Sequence, residues 1–239
     1  MQKRGLSHIE VIMSFILFSA AVGFALYFFS PFNSTRLVDS SLTYTFREIT
    51  NNASVDVQTL SIKLNNGGNK IGNILAIRID EVSANGLRSR VEMSDGTVVV
   101  SHLENNIVYV RNTIPHWDEN DFIIVKLSQD FDQTPSIPAV SVNESFYEVI
   151  SSTSETLISE KKIIELREKY LIDYLGIKTD FNLPNRVNFG FSVFFDADDK
   201  IEAKREIAQG LDVFSSSERR PILKSNGEIK FADVSVSVW

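Results

Sequence analysis

The sequence predicts an N-terminal transmembrane and amphipathic α-helix, then a β-rich exterior domain (an antiparallel sheet or sandwich), then an α+β C-terminal domain. Three observations carry this expectation. An almost unbroken apolar run from Val11 to Phe32 follows a short basic N-terminus. Short stretches of period-two alternation, separated by Asn/Gly turns, fill the middle of the chain. One clear helical stripe, followed by further alternating stretches, closes it. The divisions read as 1–5 for a leader peptide, 6–32 for the transmembrane helix, 33–52 for an amphipathic extension, 53–135 for the β-rich exterior domain and 136–239 for the α+β exterior domain.

At ~1.5 Å per residue the apolar run reaches about 33 Å, enough to cross a hydrocarbon core. Lys3 and Arg4 hold the N-terminus on the cytoplasmic side, which places the bulk of a single-pass chain outside the cell membrane. Ser14, Ser19, Ala20, Ala21 and Gly23 are small positions at which helices can pack closely in lipid. Pro31 predicts a break, and Asn33-Ser34-Thr35 offers a cap for a restart. Val38, Leu42, Phe46 and Ile49 then recur at helical spacing, with Arg36, Asp39, Arg47 and Glu48 as a polar side. Asn51-Asn52 stops the helix.

Leu60, Ile62 and Leu64 open the alternating region, and Asn65-Asn66-Gly67-Gly68 turns the chain. Further strands are expected over 71–82, 87–93, 97–103, 107–112 and 122–127, with Ser94-Asp95-Gly96 as a hairpin turn. Pro135 and Pro138 interrupt the periodicity and mark the boundary. A helix is expected over 155–175, with Leu157, Ile164, Leu171 and Leu175 as its stripe, Ser154 as its cap and Gly176 as its C-terminal glycine. Val187, Phe189, Phe191, Val193 and Phe195 alternate without a miss. Strands over 201–207 and 219–224, the Asn226-Gly227 turn and the final Val234-x-Val236-x-Val238 complete an α+β arrangement.

The first residues carry the functional signal. Glu10 is a lone carboxylate at the edge of the apolar run, costly there unless compensated. Lys3-Arg4-Gly5 followed by Leu6-Ser7-His8-Ile9-Glu10 resembles the class III signal of type IV prepilins and their archaeal relatives. The resemblance implies that a prepilin peptidase cuts between Gly5 and Leu6. Leu6 would become the N-terminus, and Glu10 would pair with the terminal amine of a neighbouring subunit. Its partners would then be other pilin-like subunits, met through the N-terminal helix. The role implied is a minor or pseudopilin-like subunit of a type IV filament, or of related secretion or adhesion machinery at the cell surface. The chain departs from the common bacterial pattern at Leu6, where phenylalanine is usual, and at His8. The same residues also fit a plain signal-anchor, with Glu10 in the headgroup region and the exterior acting as a monomeric surface receptor or adhesin.

Composition narrows the rest. The net charge is −7, which argues against a nucleic-acid partner. No cysteine occurs, so the exterior relies on packing, and a thiol nucleophile is excluded; the absence also leans towards an archaeal origin. Sequons stand at Asn33, Asn52 and Asn143, of which Asn52 and Asn143 are the glycosylation candidates. His102 and His116 lack metal-ligand spacing, and no serine sits in a G-x-S-x-G elbow. The acids Asp118, Glu119 and Asp121 beside His116 read as a solvated loop. Asp196-Ala197-Asp198-Asp199-Lys200 is similar to the start of a calcium loop, but it lacks the central glycine and has Ile207 at the twelfth position. A charged turn accounts for it. No enzyme activity, cofactor or metal is expected.

Overall fold

The computed structural model describes residues 8–28, 32–65, 72–79, 86–112, 117, 121–196 and 199–239; within the first two helices, side chains are described at 10–26 and from 39 onward. Helix α1 is His8–Phe28 and helix α2 is Phe32–Asn52. Pro31 lies outside the described residues. Asn33-Ser34-Thr35, expected as a restart cap, is already inside α2. The stop at Asn51-Asn52 holds, and Leu42, Phe46 and Ile49 are buried as their spacing predicts. Thr45 lies fully buried among them, and its hydroxyl donates to the Ser41 carbonyl at 2.7 Å, which satisfies it within the helix.

Six strands follow close to their expected places: β1 (Ser54–Leu64), β2 (Ile74–Arg78), β3 (Arg88–Met93), β4 (Val98–Glu104), β5 (Ile107–Arg111) and β6 (Phe122–Ser128). Gly96 closes the β3–β4 hairpin at φ +85°, a backbone conformation that favours glycine. After the proline-containing linker come β7 (Tyr147–Ser159), helices α3 (Glu160–Ile172) and α4 (Tyr174–Asp180), then β8 (Phe189–Phe194), β9 (Lys200–Ala203), β10 (Phe214–Leu223) and β11 (Ile229–Val238).

All the strands belong to one eleven-stranded sheet in the order β2-β5-β4-β3-β6-β1-β7-β10-β11-β8-β9. The pairings are antiparallel except between β7 and β10, which meet in parallel at Ile158 and Ser159 opposite Ile222 and Leu223. The sheet therefore runs across the linker at 135/136, because β7 after it pairs with β1 before it. Two large cores lie along the sheet. One gathers Leu60, Ile62, Ile77, Val91, Val108 and Ile123, drawn from strands far apart in the order, so this half of the sheet curls over its own interior. The other gathers Phe46, Ile49, Ile163, Tyr170, Phe189 and Val236, with α2 and α3 on the sheet. Helix α2 packs on β10 and β11, not on the strands that follow it directly in sequence.

The helix expected over 155–175 is corrected in three respects. Residues 155–159 are the end of β7, and α3 starts at Glu160, capped by Ser159, which accepts from the Lys162 amide. Leu157 and Ile158 are neighbours that both need burial; a strand sends one to each side of the sheet, into separate apolar clusters. The helix also breaks at Asp173, whose carboxylate accepts from the Gly176 amide at 2.9 Å and starts α4. Gly176 is thus inside α4 and not a C-terminal cap. A Cβ there would stand 2.0 Å from the Asp173 carboxylate, so a larger residue would push that capping side chain aside. Strand β9 ends at Ala203, short of the expected Ile207, and β10 begins at Phe214, earlier than the expected Arg219.

Candidate functional site: the exposed apolar helix

Every described side chain of α1, from Glu10 to Leu26, is exposed. Phe15, Leu17, Phe18, Phe24 and Leu26 each keep about two thirds of their surface open. With Ile12, Met13 and Ile16, each more than half exposed, these residues point in all directions around the helix, so no single orientation could hide them against the rest of the chain. Each side chain of this size gains roughly 1.5–3 kcal/mol when fully buried. The contrast with α2 is sharp, because α2 buries one stripe and exposes the other side. Among the described residues, no helix is long and apolar enough to cross a membrane. In the sequence, the apolar run extends beyond the described side chains of α1, as far as Phe32.

Glu10 is exposed in the first turn of α1, where the unpaired amides of a helix N-terminus favour a carboxylate. Gly5 and Leu6 lie outside the described residues, as do His116, Asp118, Glu119, Ala197 and Asp198. The two glycosylation candidates differ in geometry. Asn52 ends α2 with its amide nitrogen donating to the Glu48 carbonyl at 2.8 Å, while Ser54 of the same sequon donates to Thr50 at 2.6 Å. Both side chains are turned back on the helix. Asn143 instead accepts from the Ser145 amide at 3.1 Å and from its hydroxyl at 2.7 Å, and it is exposed.

At the acidic turn, Asp199 is met by an internal cation. Lys224, the residue after β10, reaches Asp199 at 3.2 Å and Glu160 at 3.1 Å, and its ammonium stands 4.3 Å from the centre of the Phe195 ring. Burial alone would lower the Lys224 pKa; the bonds to Glu160 and Asp199 outweigh it and raise it. A second cluster ties β3 to β6: Glu92 accepts from Arg90 at 2.9 Å and from Lys126 at 2.8 Å. There too burial opposes, and the two cations win, holding the carboxyl below its ordinary value. Sequence reasoning missed both clusters, and also Lys178, which is buried in α4 with its ammonium on the Asn185 carbonyl at 2.9 Å. Burial, and then the nearby Arg205, lower the Lys178 pKa.

A cleft of about 430 Å³ opens where the two halves of the sheet meet, lined by Ser54, Asp56, Gln129, Thr156 and Lys162 among others. Two contacts within its lining are internal: Thr156 donates to Asp56, and Lys162 donates to the Ser54 carbonyl. Among the described residues, Asp130 is the one buried carboxylate, and no three metal-ligating side chains stand together.

Comparison with known protein families, with characterised proteins and with solved structures finds no match to this chain.

Proposed function

We propose that the chain is a pilin-like structural subunit, minor or pseudopilin-like, of a type IV filament or a related surface machine. What carries the reading is the division of labour between the first two helices. Helix α2 docks one stripe on the sheet, whereas α1 leaves large apolar side chains exposed all round and carries a carboxylate in its first turn. The sequence continues that apolar run to Phe32, and the basic residues before it match the prepilin-type signal. In this reading the run spans the cell membrane before assembly, with the sheet outside. It then packs among the same helices of other subunits, where Glu10 neutralises a neighbour's terminal amine. The size of the exterior favours a minor or tip position over a repeating one.

The deciding experiment is co-expression with a prepilin peptidase and mass analysis of the mature N-terminus. A start at Leu6, lost on Gly5→Leu, supports entry into the pilin pathway. An intact N-terminus under conditions that process a control prepilin overturns it. Glu10→Ala then separates an assembling subunit, which fails to form filaments, from an anchored monomer, which is unaffected.

A further inference from the structure

The long edge of β7 has an unusual character. An open sheet edge exposes amide and carbonyl groups to any other strand, and proteins guard such edges with short strands, prolines or charges. Three of the open edges here are guarded. Strand β2 has five residues and ends in Arg78; β9 has four and carries Lys200 and Glu202. The free part of β10 carries Glu218, Arg219, Arg220 and Pro221. Strand β7 is the exception. It has thirteen residues, is paired with β1 along one side, and meets β10 on the other only at Ile158 and Ser159. From Glu148 to Thr156 every side chain is exposed, and this edge carries Glu148 and Glu155 but no proline, lysine or arginine.

The β1–β7 register narrows the usable stretch. It is regular from Ser54/Ile158 to Ser61/Ser151 and then shifts, leaving Ile150 without a partner as a bulge. The regular free edge is therefore Ser151–Leu157. It is held straight from behind by Gln58, which donates to Ser152, and by Asp56, which accepts from Thr156. We propose that Ser151–Leu157 is the edge through which two copies of this chain join their sheets, antiparallel and centred on Ser154. A two-fold axis at Ser154 places Ser152 opposite Thr156, and Thr153 opposite Glu155. Hydroxyl pairs then face one another, and no like charges meet. In the same register the partner copy's Ile150 comes opposite Ile158, where β10 takes over the edge, so its bulge turns the incoming strand away there. The contact is short and polar. It rests on the assembly reading above, because α1 holds copies in one membrane before they assemble, which raises their effective concentration.

The test uses the full chain in membranes, where a single introduced cysteine has no native thiol to compete with it. Opposed residues in an antiparallel pair stand about 4.5–5.5 Å apart at Cα, within disulfide reach. Ser154→Cys is expected to give an oxidised dimer several-fold more abundant than Ser217→Cys on the guarded edge of β10. Thr153→Glu, which brings glutamates opposite each other, should suppress that cross-link. Adding Glu155→Lys should restore it. Cross-linking at Ser154 no better than at Ser217, or indifferent to Thr153→Glu, overturns the proposal. Filament sedimentation is read in parallel. Filaments without the Ser154 cross-link sink the edge pairing alone, while the cross-link without filaments sinks the assembly reading and leaves the edge.

Discussion

The Lys224 ammonium lies 3.1 Å from the Glu160 carboxylate, joining the residue that follows β10 to the first residue of α3. Both side chains are largely buried, with 16% and 19% of their surface exposed, so solvent screens this pair less than a surface one. Asp199, about half exposed, adds a weaker second contact. Lys224→Met is expected to cost about 1–2 kcal/mol in chemical unfolding, since it leaves Glu160 without its cation. The folded pKa of Lys224 is raised above its ordinary 10.5, so its contribution is whole below that pH and disappears as pH rises through the folded value. The gap between wild type and Lys224→Met should stay constant from neutrality to pH 10.5 and close above it. A gap that persists in strong alkali would show that the methionine acts through packing and not through charge.

Glu92 gives the opposite pH dependence. Its folded pKa lies below the ordinary 4.5, so its contribution is present above that pH and fades as pH falls through the folded value. Glu92→Gln should cost about 1–2 kcal/mol at neutral pH, where Arg90 and Lys126 lose their anion, and less at about pH 3. Urea unfolding of both proteins at the two pH values decides the matter.

The docking of α2 supports a third prediction. Phe46 is buried between the helix and the second core, and Arg47, its neighbour in sequence, is exposed. Phe46→Ala should lower stability by about 3–5 kcal/mol, and Arg47→Ala by less than about 0.5 kcal/mol. Equal effects would mean that α2 does not bear on the sheet through this stripe.

The sequence reading and the fold agree where one periodicity decides a segment. Leu42, Phe46 and Ile49 sit a turn apart, and β8 alternates Phe189, Phe191 and Val193 into the core, so both were legible. Strand β7 was not. Its residues 148–156 are exposed on both faces, and the ladder to β1 holds them; side-chain alternation contributes nothing there. The start of α3 was ambiguous for a local reason. Ser154-Glu155 and Ser159-Glu160 carry the same capping signal, and only the burial of Leu157 and Ile158 between them selects the second. Among candidate site residues, Glu10, Asn52 and Asn143 announce themselves by neighbours in sequence. Glu160, Asp199 and Lys224 meet only because the fold brings α3, the turn before β9 and the end of β10 together.

Gly23 separates a helix that packs among its copies from one that merely anchors. A Cβ at this position meets nothing within 4 Å, so a larger side chain has room in the single chain. In a helical bundle, small residues are where backbones approach most closely, and a leucine would hold them apart. Gly23→Leu should therefore leave the unfolding of the sheet unchanged, because the described side chains of α1, Glu10 to Leu26, contribute nothing to either core. Membrane insertion should also be intact, since leucine is more apolar than glycine. Filament yield, measured by sedimentation from cells with equal amounts of processed protein, should fall. Gly23→Ala should lie between the two. If Gly23→Leu assembles as well as wild type, this face of α1 does not touch another helix. The close contacts must then be sought at Ser14, Ser19, Ala20 and Ala21.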